Sequence, residues 1–133
     1  MKHEPSTFKN LKIWQLSMQL VERIYTLTFT FPKQELFGLC TQMQRASVSV
    51  SSNIAEGYRR KSEREYKRFL SVALGSLGEL ETQIEICLRL KYINIDEYAI
   101  LINQVLDICK MTQSLIKKIK TSLKTHASRL RAN

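Results

Sequence analysis

Between Leu36 and Gly57 the chain places an apolar residue at every third or fourth position: Leu36, Leu39, Met43, Ala46, Val50 and Ile54. Within that run, Ala46-Ser47-Val48-Ser49-Val50 alternates as a strand would. The two periods conflict, and only the helical one spans the whole segment. It also ends on a glycine, the residue favoured where a helix closes in a left-handed turn. A helix is therefore expected from serines and valines whose intrinsic propensity is poorer than alanine's by about a few tenths of a kcal/mol each. Close packing against a neighbour must offset that deficit.

The rest of the chain keeps the same period. Leu11, Trp14, Met18, Val21, Tyr25 and Thr28 form one helical stripe, interrupted at Phe31-Pro32, where the residue before proline avoids the helical region. Ser62 and Glu65 have the spacing of a capping box, followed by Tyr66, Phe69, Ala73, Leu77, Leu80, Ile84 and Cys87. Asn94 offers an N-cap to a last stripe through Tyr98, Leu101, Val105, Ile108, Leu115, Ile116 and Ile119. With four glycines and two prolines there is little punctuation for a many-turned β fold. The expected architecture is all-α: an up-down-up-down four-helix bundle, with helices at about 9–30, 33–56, 62–90 and 95–123. Residues 1–123 read as one domain and 124–133 as a basic C-terminal tail outside it.

The second and third helices turn back around Arg60-Lys61, which sets Ala46 and Ser49 opposite Gly75, Ser76, Val72 and Ala73. Small residues then face small residues. Arg45 falls near Ser76 and within reach of Glu79, as a salt bridge or hydrogen-bonded cluster that fixes the register. A ligand site built from Arg45, Asn53 and Glu79 is the competing reading.

Other chemistries find little support. Cys40, Cys87 and Cys109 are an odd number without a CxxC pair, and His3 and His126 lie far from them in sequence, so no zinc spacing exists. The cysteines read as reduced thiols used as small hydrophobes. There is no glycine-rich phosphate loop and no nucleophile–base pair, and Glu56, Glu79 and Glu81 are the only carboxylates near the motifs. A non-enzymatic protein without a cofactor is expected. No apolar run approaches the ~20 residues that cross a bilayer, and the N-terminus has no apolar core of a signal peptide. The expected location is cytoplasmic, without a membrane partner.

The net charge of +9 favours an acidic partner. In the expected topology the N-terminus, the second connection and the C-terminus share one end of the bundle. Lys2, Glu4, Lys9 and Lys12 fall there. So do Arg59, Arg60, Lys61, Arg64, Lys67 and Arg68, with Glu63 and Glu65 among them, and Lys117, Lys118, Lys120, Lys124, Arg129 and Arg131. That excess is larger than the charge of the whole chain, so the remainder is net acidic. A polyanion is the expected ligand. Tyr58 and Tyr66 bracket the central cluster and could stack on unpaired bases, although Tyr66 also suits the core stripe. No base-reading motif is present, which implies backbone and shape recognition, with structured RNA ahead of DNA.

Several short motifs resemble one bacterial family. They are Phe8-Lys9-Asn10-Leu11 with Trp14, Phe31-Pro32 with Glu35, Gly38 and Leu39, and Gln44-Arg45-Ala46 with Ser49. Asn53-Ile54-Ala55-Glu56-Gly57 follows, then Ser62, Glu65, Phe69, Gly75-Ser76-Leu77, Glu79-Leu80-Glu81-Thr82 and Tyr92-Ile93. Over roughly residues 8–120 the chain is similar to the four-helix bundle proteins called 23S rRNA intervening-sequence proteins. The resemblance implies a left-handed bundle assembling as a ring-like homopentamer. It also implies kinship with bundle pentamers that accompany the reverse transcriptase of diversity-generating retroelements. A protein-interaction subunit of that kind, bound to reverse transcriptase and nucleic acid, is the alternative to direct RNA binding. Two positions depart from the family pattern. Lys91 stands where glycine is expected before Tyr92, and Ser51 where proline is frequent.

Overall fold

The computed structural model of the protein describes residues 7–132. Four helices account for most of them: α1 (Lys12–Thr28), α2 (Thr41–Arg59), α3 (Glu63–Arg89) and α4 (Ile95–Ala132), with no strand among the described residues. Hydrogen bonds between side chains fix their antiparallel order. Ser51 Oγ donates to Ser17 Oγ at 2.9 Å across α2 and α1, and Gln44 Nε2 to Thr28 Oγ1 at 3.1 Å near the other end of the same pair. Ser49 and Ser76 hydroxyls bond at 2.8 Å across α2 and α3. Tyr98 donates to Glu85 at 2.9 Å, and Ser122 to Glu63 at 3.2 Å, at opposite ends of α3 and α4. The core runs along the axis through Leu20, Ile24, Met43, Val50, Ile54, Leu70, Leu77, Leu80, Ile84, Leu101, Val105 and Ile108.

The serine-rich segment is helical throughout and serves two neighbours. Ser47 and Ser51 are buried with Ala46, Val50 and Ile54, while Ser49 faces α3. The Ser51–Ser17 bond is itself buried, and Ser17 also donates to the carbonyl of Trp14 at 2.7 Å. A large residue at these positions would push α2 off α1 or α3. The small hydroxyls allow approach and satisfy one another, so packing outweighs propensity.

In three places the local structure of α1 and α2 departs from expectation. The buried stripe of α1 is Ile13, Ser17, Leu20, Ile24 and Thr28, with Met18 36% and Tyr25 46% exposed. Thr28 lies on both stripes; the stripe is rotated because Ser17, which an apolar count passes over, buries its hydroxyl on a backbone carbonyl in line with Ile13, Leu20 and Ile24. The second helix does not start at the proline. Lys33–Glu35 is one 3-10 turn and Leu36–Cys40 one π turn, with Gly38 at φ −114°, ψ −106°, before α2 begins. Gly57 is not a left-handed terminus: it lies inside α2, and a Cβ there would meet Phe69 Cβ at 2.7 Å and Tyr66 Cδ1 at 3.1 Å. Its role is close approach to α3, whereas Gly75 has open space around it.

The turn at the hairpin tip falls to Lys61, at φ 55°. Contacts across α2 and α3 then pair Ser49 with Ser76 and Tyr58 with Tyr66, about one helical turn beyond a simple fold-back. Helical side chains lean toward their own N-termini, so touching residues in an antiparallel pair lie further along both helices. The caps also differ from expectation in detail. Ser62 Oγ accepts from the Glu65 amide at 3.3 Å, but the Glu65 carboxylate turns to Arg68 instead of closing the box. Asn94 and Glu97 form the full reciprocal pair at the start of α4. Lys91 keeps the left-handed conformation at φ 63°, with the Tyr92 amide bonded to the Cys87 carbonyl and the Lys91 amide to Leu88, a Schellman motif without glycine. Finally, α4 continues past Leu123 to Ala132, so most of the expected tail is the last turns of a helix.

Candidate nucleic-acid interface

At the α2–α3 tip, Tyr58 and Tyr66 meet edge to face at 5.8 Å beside Gly57, and Phe69 lies next to them. Two arginines cover Phe69: Arg60, 5.3 Å from the ring centroid and bonded to Glu56 at 2.8 Å, and Arg68, at 4.4 Å and bonded to Glu65 at 2.9 Å. Arg68 draws the Glu65 carboxyl below its usual pKa. Burial, with the neighbouring Tyr58 second, pushes the Tyr66 phenol up to about 12. Tyr66 is thus part of the packed tip, and its ring is not a free platform for a base. Arg60 and Arg68 already hold partners within the chain.

The end of α4 docks beside this tip through the Ser122–Glu63 bond. Between them opens a groove of about 730 Å³. Arg64 and Lys67 of α3 form one wall, and Lys120, Lys124 and Arg131 of α4 form the other, with Leu123, Ala127 and Ser128 between. Five cations line it without a carboxylate, and none has a salt-bridge partner among the described residues. Their spacing along α4 follows from helical geometry, since residues 120, 124, 127 and 131 recur on one face.

The other residues expected at this pole take different positions. Arg59 and Lys61 are exposed at the tip. Lys9 and Lys12 are exposed at the start of α1, which the antiparallel pairing of Ser17 with Ser51 brings level with the end of α2. Lys117 lies one turn before Lys120 on the groove side of α4. Lys118 and Arg129 are exposed more than about 100° around that helix from Lys124. Lys2 and Glu4 fall outside the described residues. Sequence reading missed Ser128 and the groove itself, because it ended the last helix before Lys124.

Arg45, Asn53 and Glu79 lie elsewhere. Asn53 Nδ2 donates to the Ser49 carbonyl at 2.8 Å and to Ser49 Oγ at 3.0 Å, joining the Ser49–Ser76 bond that registers the hairpin. The expected Arg45–Glu79 salt bridge does not form. Both residues instead line a separate groove of about 280 Å³ with Gln42, Ser49, Ser76 and Gln83. Gln83 was not singled out in the sequence, although a glutamine in the apolar stripe of α3 is the signal.

Cys40 and Cys87 are buried free thiols and Cys109 is half-buried. Burial, then the nearby Cys40 and Glu35, pushes the Cys87 thiol up to about 12, so it packs as a neutral side chain against Met43. No helix among the described residues is long and apolar enough to cross a membrane.

None of the curated proteins compared with the chain matches it. Among solved structures, the chain is similar to the crystal structure of a protein of unknown function from the S23 ribosomal protein family of Bacteroides thetaiotaomicron VPI-5482. Sequence identity is 27%, the match covers 79% of this chain and 98% of the other, and the TM-score is 0.72. A family model described as 23S rRNA-intervening sequence protein matches residues 9–114, which span all of α1 to α3 and half of α4. The chain, with its four antiparallel helices and the motifs they carry, belongs to the 23S rRNA-intervening sequence protein family.

Proposed function

We propose that the protein is a non-enzymatic binder of nucleic acid, structured RNA first, and that the groove between α3 and the end of α4 is its contact surface. The observation that carries this reading is the groove lined by Arg64, Lys67, Lys120, Lys124 and Arg131, with Lys9, Lys12, Arg59 and Lys61 at the same end. Unpaired cations on rigid helices attract phosphates without reading bases, and counterion release supplies much of the affinity. The family's name links its members to rRNA intervening sequences, which agrees with an RNA ligand.

A protein partner is the second reading, favoured by the opposite end of the bundle. Phe29 and Phe37 are 92% and 91% exposed there, beside the half-exposed Leu36. Such a surface suits association, whether in the homopentamer that the family resemblance suggests or with a reverse transcriptase. The two readings are compatible, since they use different poles.

Fluorescence anisotropy with a labelled RNA hairpin tests the first reading. The variant Arg64→Gln/Lys120→Gln/Lys124→Gln should bind at least about tenfold more weakly than the parent. A charge-matched control, Lys33→Gln/Lys91→Gln/Lys110→Gln, should bind nearly as well as the parent. Equal losses in both would mean that only net charge matters and would remove the groove as a site.

A further inference from the structure

The groove on the α2–α3 face lies about 20 Å along α2 from the basic tip, since Arg45 precedes Arg59 by fourteen residues. Neither the fold nor the RNA reading accounts for what lines it. Arg45 and Glu79 project from opposite helices in nearly the same register as the bonded Ser49–Ser76 pair. They carry opposite charge, yet no nitrogen–oxygen pair comes within salt-bridge distance, and neither makes a side-chain hydrogen bond to another described residue. Ala46, Ser49 and Ser76 between them are too small to fill the space, which leaves about 280 Å³.

Gln83, one turn beyond Glu79 on α3, lines the same groove. It is only 8% exposed, and its Oε1 has no hydrogen-bond partner among the described residues. Buried polar groups are rarely left unpaired, so an orphaned amide at the edge of a cavity points to something that pairs with it. The groove is therefore bipolar. Arg45 offers a planar fork of N–H donors that matches a carboxylate. Glu79, with the Gln83 amide oxygen, offers acceptors to an ammonium group in the same groove.

We infer that this groove binds a small zwitterion, with a carboxylate against Arg45 and an ammonium against Glu79 and Gln83, and that a free α-amino acid is the class of ligand that fits it. The charges of such a ligand bridge the gap that Arg45 and Glu79 leave open, and it is small enough to enter a groove of about 280 Å³. The site is independent of the basic groove, so its fate and that of RNA binding can be read separately.

The test is a two-dimensional NMR titration of the isotopically labelled protein with glycine, serine and glutamine, each in its free form. At least one should give saturable shifts confined to the Gln83 side-chain amide, Arg45 Nε and the Ser49 and Ser76 backbone amides. Acetate and methylamine, which carry only one of the two charges, should bind about 10- to 100-fold more weakly than the best amino acid. Arg45→Gln and Glu79→Gln should each lower affinity by a similar factor while melting like the parent. Shifts that do not saturate in the millimolar range for all three amino acids would overturn the proposal. So would equal binding of acetate or methylamine, or unchanged affinity in both variants.

Discussion

A single missing methyl group decides how closely α2 approaches α3. At Gly57 an added Cβ would meet Phe69 Cβ at 2.7 Å, an atom tied to the backbone of α3 that cannot swing away. Overpacking costs about 1–3 kcal/mol, whereas alanine in a helix gains about 1 kcal/mol over glycine. Gly57→Ala should therefore destabilise by about 1 kcal/mol in urea denaturation. Gly78→Ala, at an exposed helical position with nothing within 4 Å, should stabilise by about 0.5–1 kcal/mol. If both substitutions stabilise, the close approach at the tip is wrong. Lys91 is the opposite case, a side chain where glycine suits the backbone. Its φ of 63° costs about 1 kcal/mol, part of which Lys91→Gly would recover, less the entropy glycine adds to the unfolded chain. A rise in stability of about 0.5 kcal/mol is expected, and a loss would show that the lysine side chain stabilises the turn.

At the scale of elements, the type of each helix was legible in the sequence but its faces and ends were less so. The 3.6-residue period carried through the serines of α2, and Ser62, Asn94 and Phe31-Pro32 marked the starts of α3 and α4 and the end of α1 to within a few residues. Three things escaped. Buried hydroxyls rotated the core stripe of α1, because a serine bonded to a carbonyl or to another serine buries as readily as alanine. Gly57 read as a stop, because sequence alone does not distinguish a glycine needed for its φ from one needed for its missing Cβ. The end of α4 read as tail, since polar residues without an apolar stripe give no tertiary signal, yet lysines and arginines near a helix C-terminus are favoured by its dipole. That last segment can be tested by itself. Ending the chain after Leu123 removes side chains that are mostly exposed, so stability should change by less than about 1 kcal/mol. Helical circular dichroism should fall in proportion to the residues lost, and RNA affinity should fall with Lys124 and Arg131. A chain that no longer folds would instead make those turns part of the core.

For the whole molecule, charge and fold act together. The basic residues are scattered through the sequence, and antiparallel packing collects three groups of them at one end, with an apolar surface around Phe29 and Phe37 at the other. The charge clusters were visible in the sequence. The meeting of two of them, from α3 and α4, in a groove was not, because it needs α4 to run beyond Leu123 against the start of α3. The most direct measurement of this arrangement is the salt dependence of RNA binding by the parent and by Arg64→Gln/Lys67→Gln/Lys120→Gln/Lys124→Gln. Each phosphate contact adds about 0.7–0.9 to the slope of log affinity against log salt. If the groove holds the RNA backbone, the four substitutions should flatten that slope by about 3. The same slope in both proteins would contradict the account.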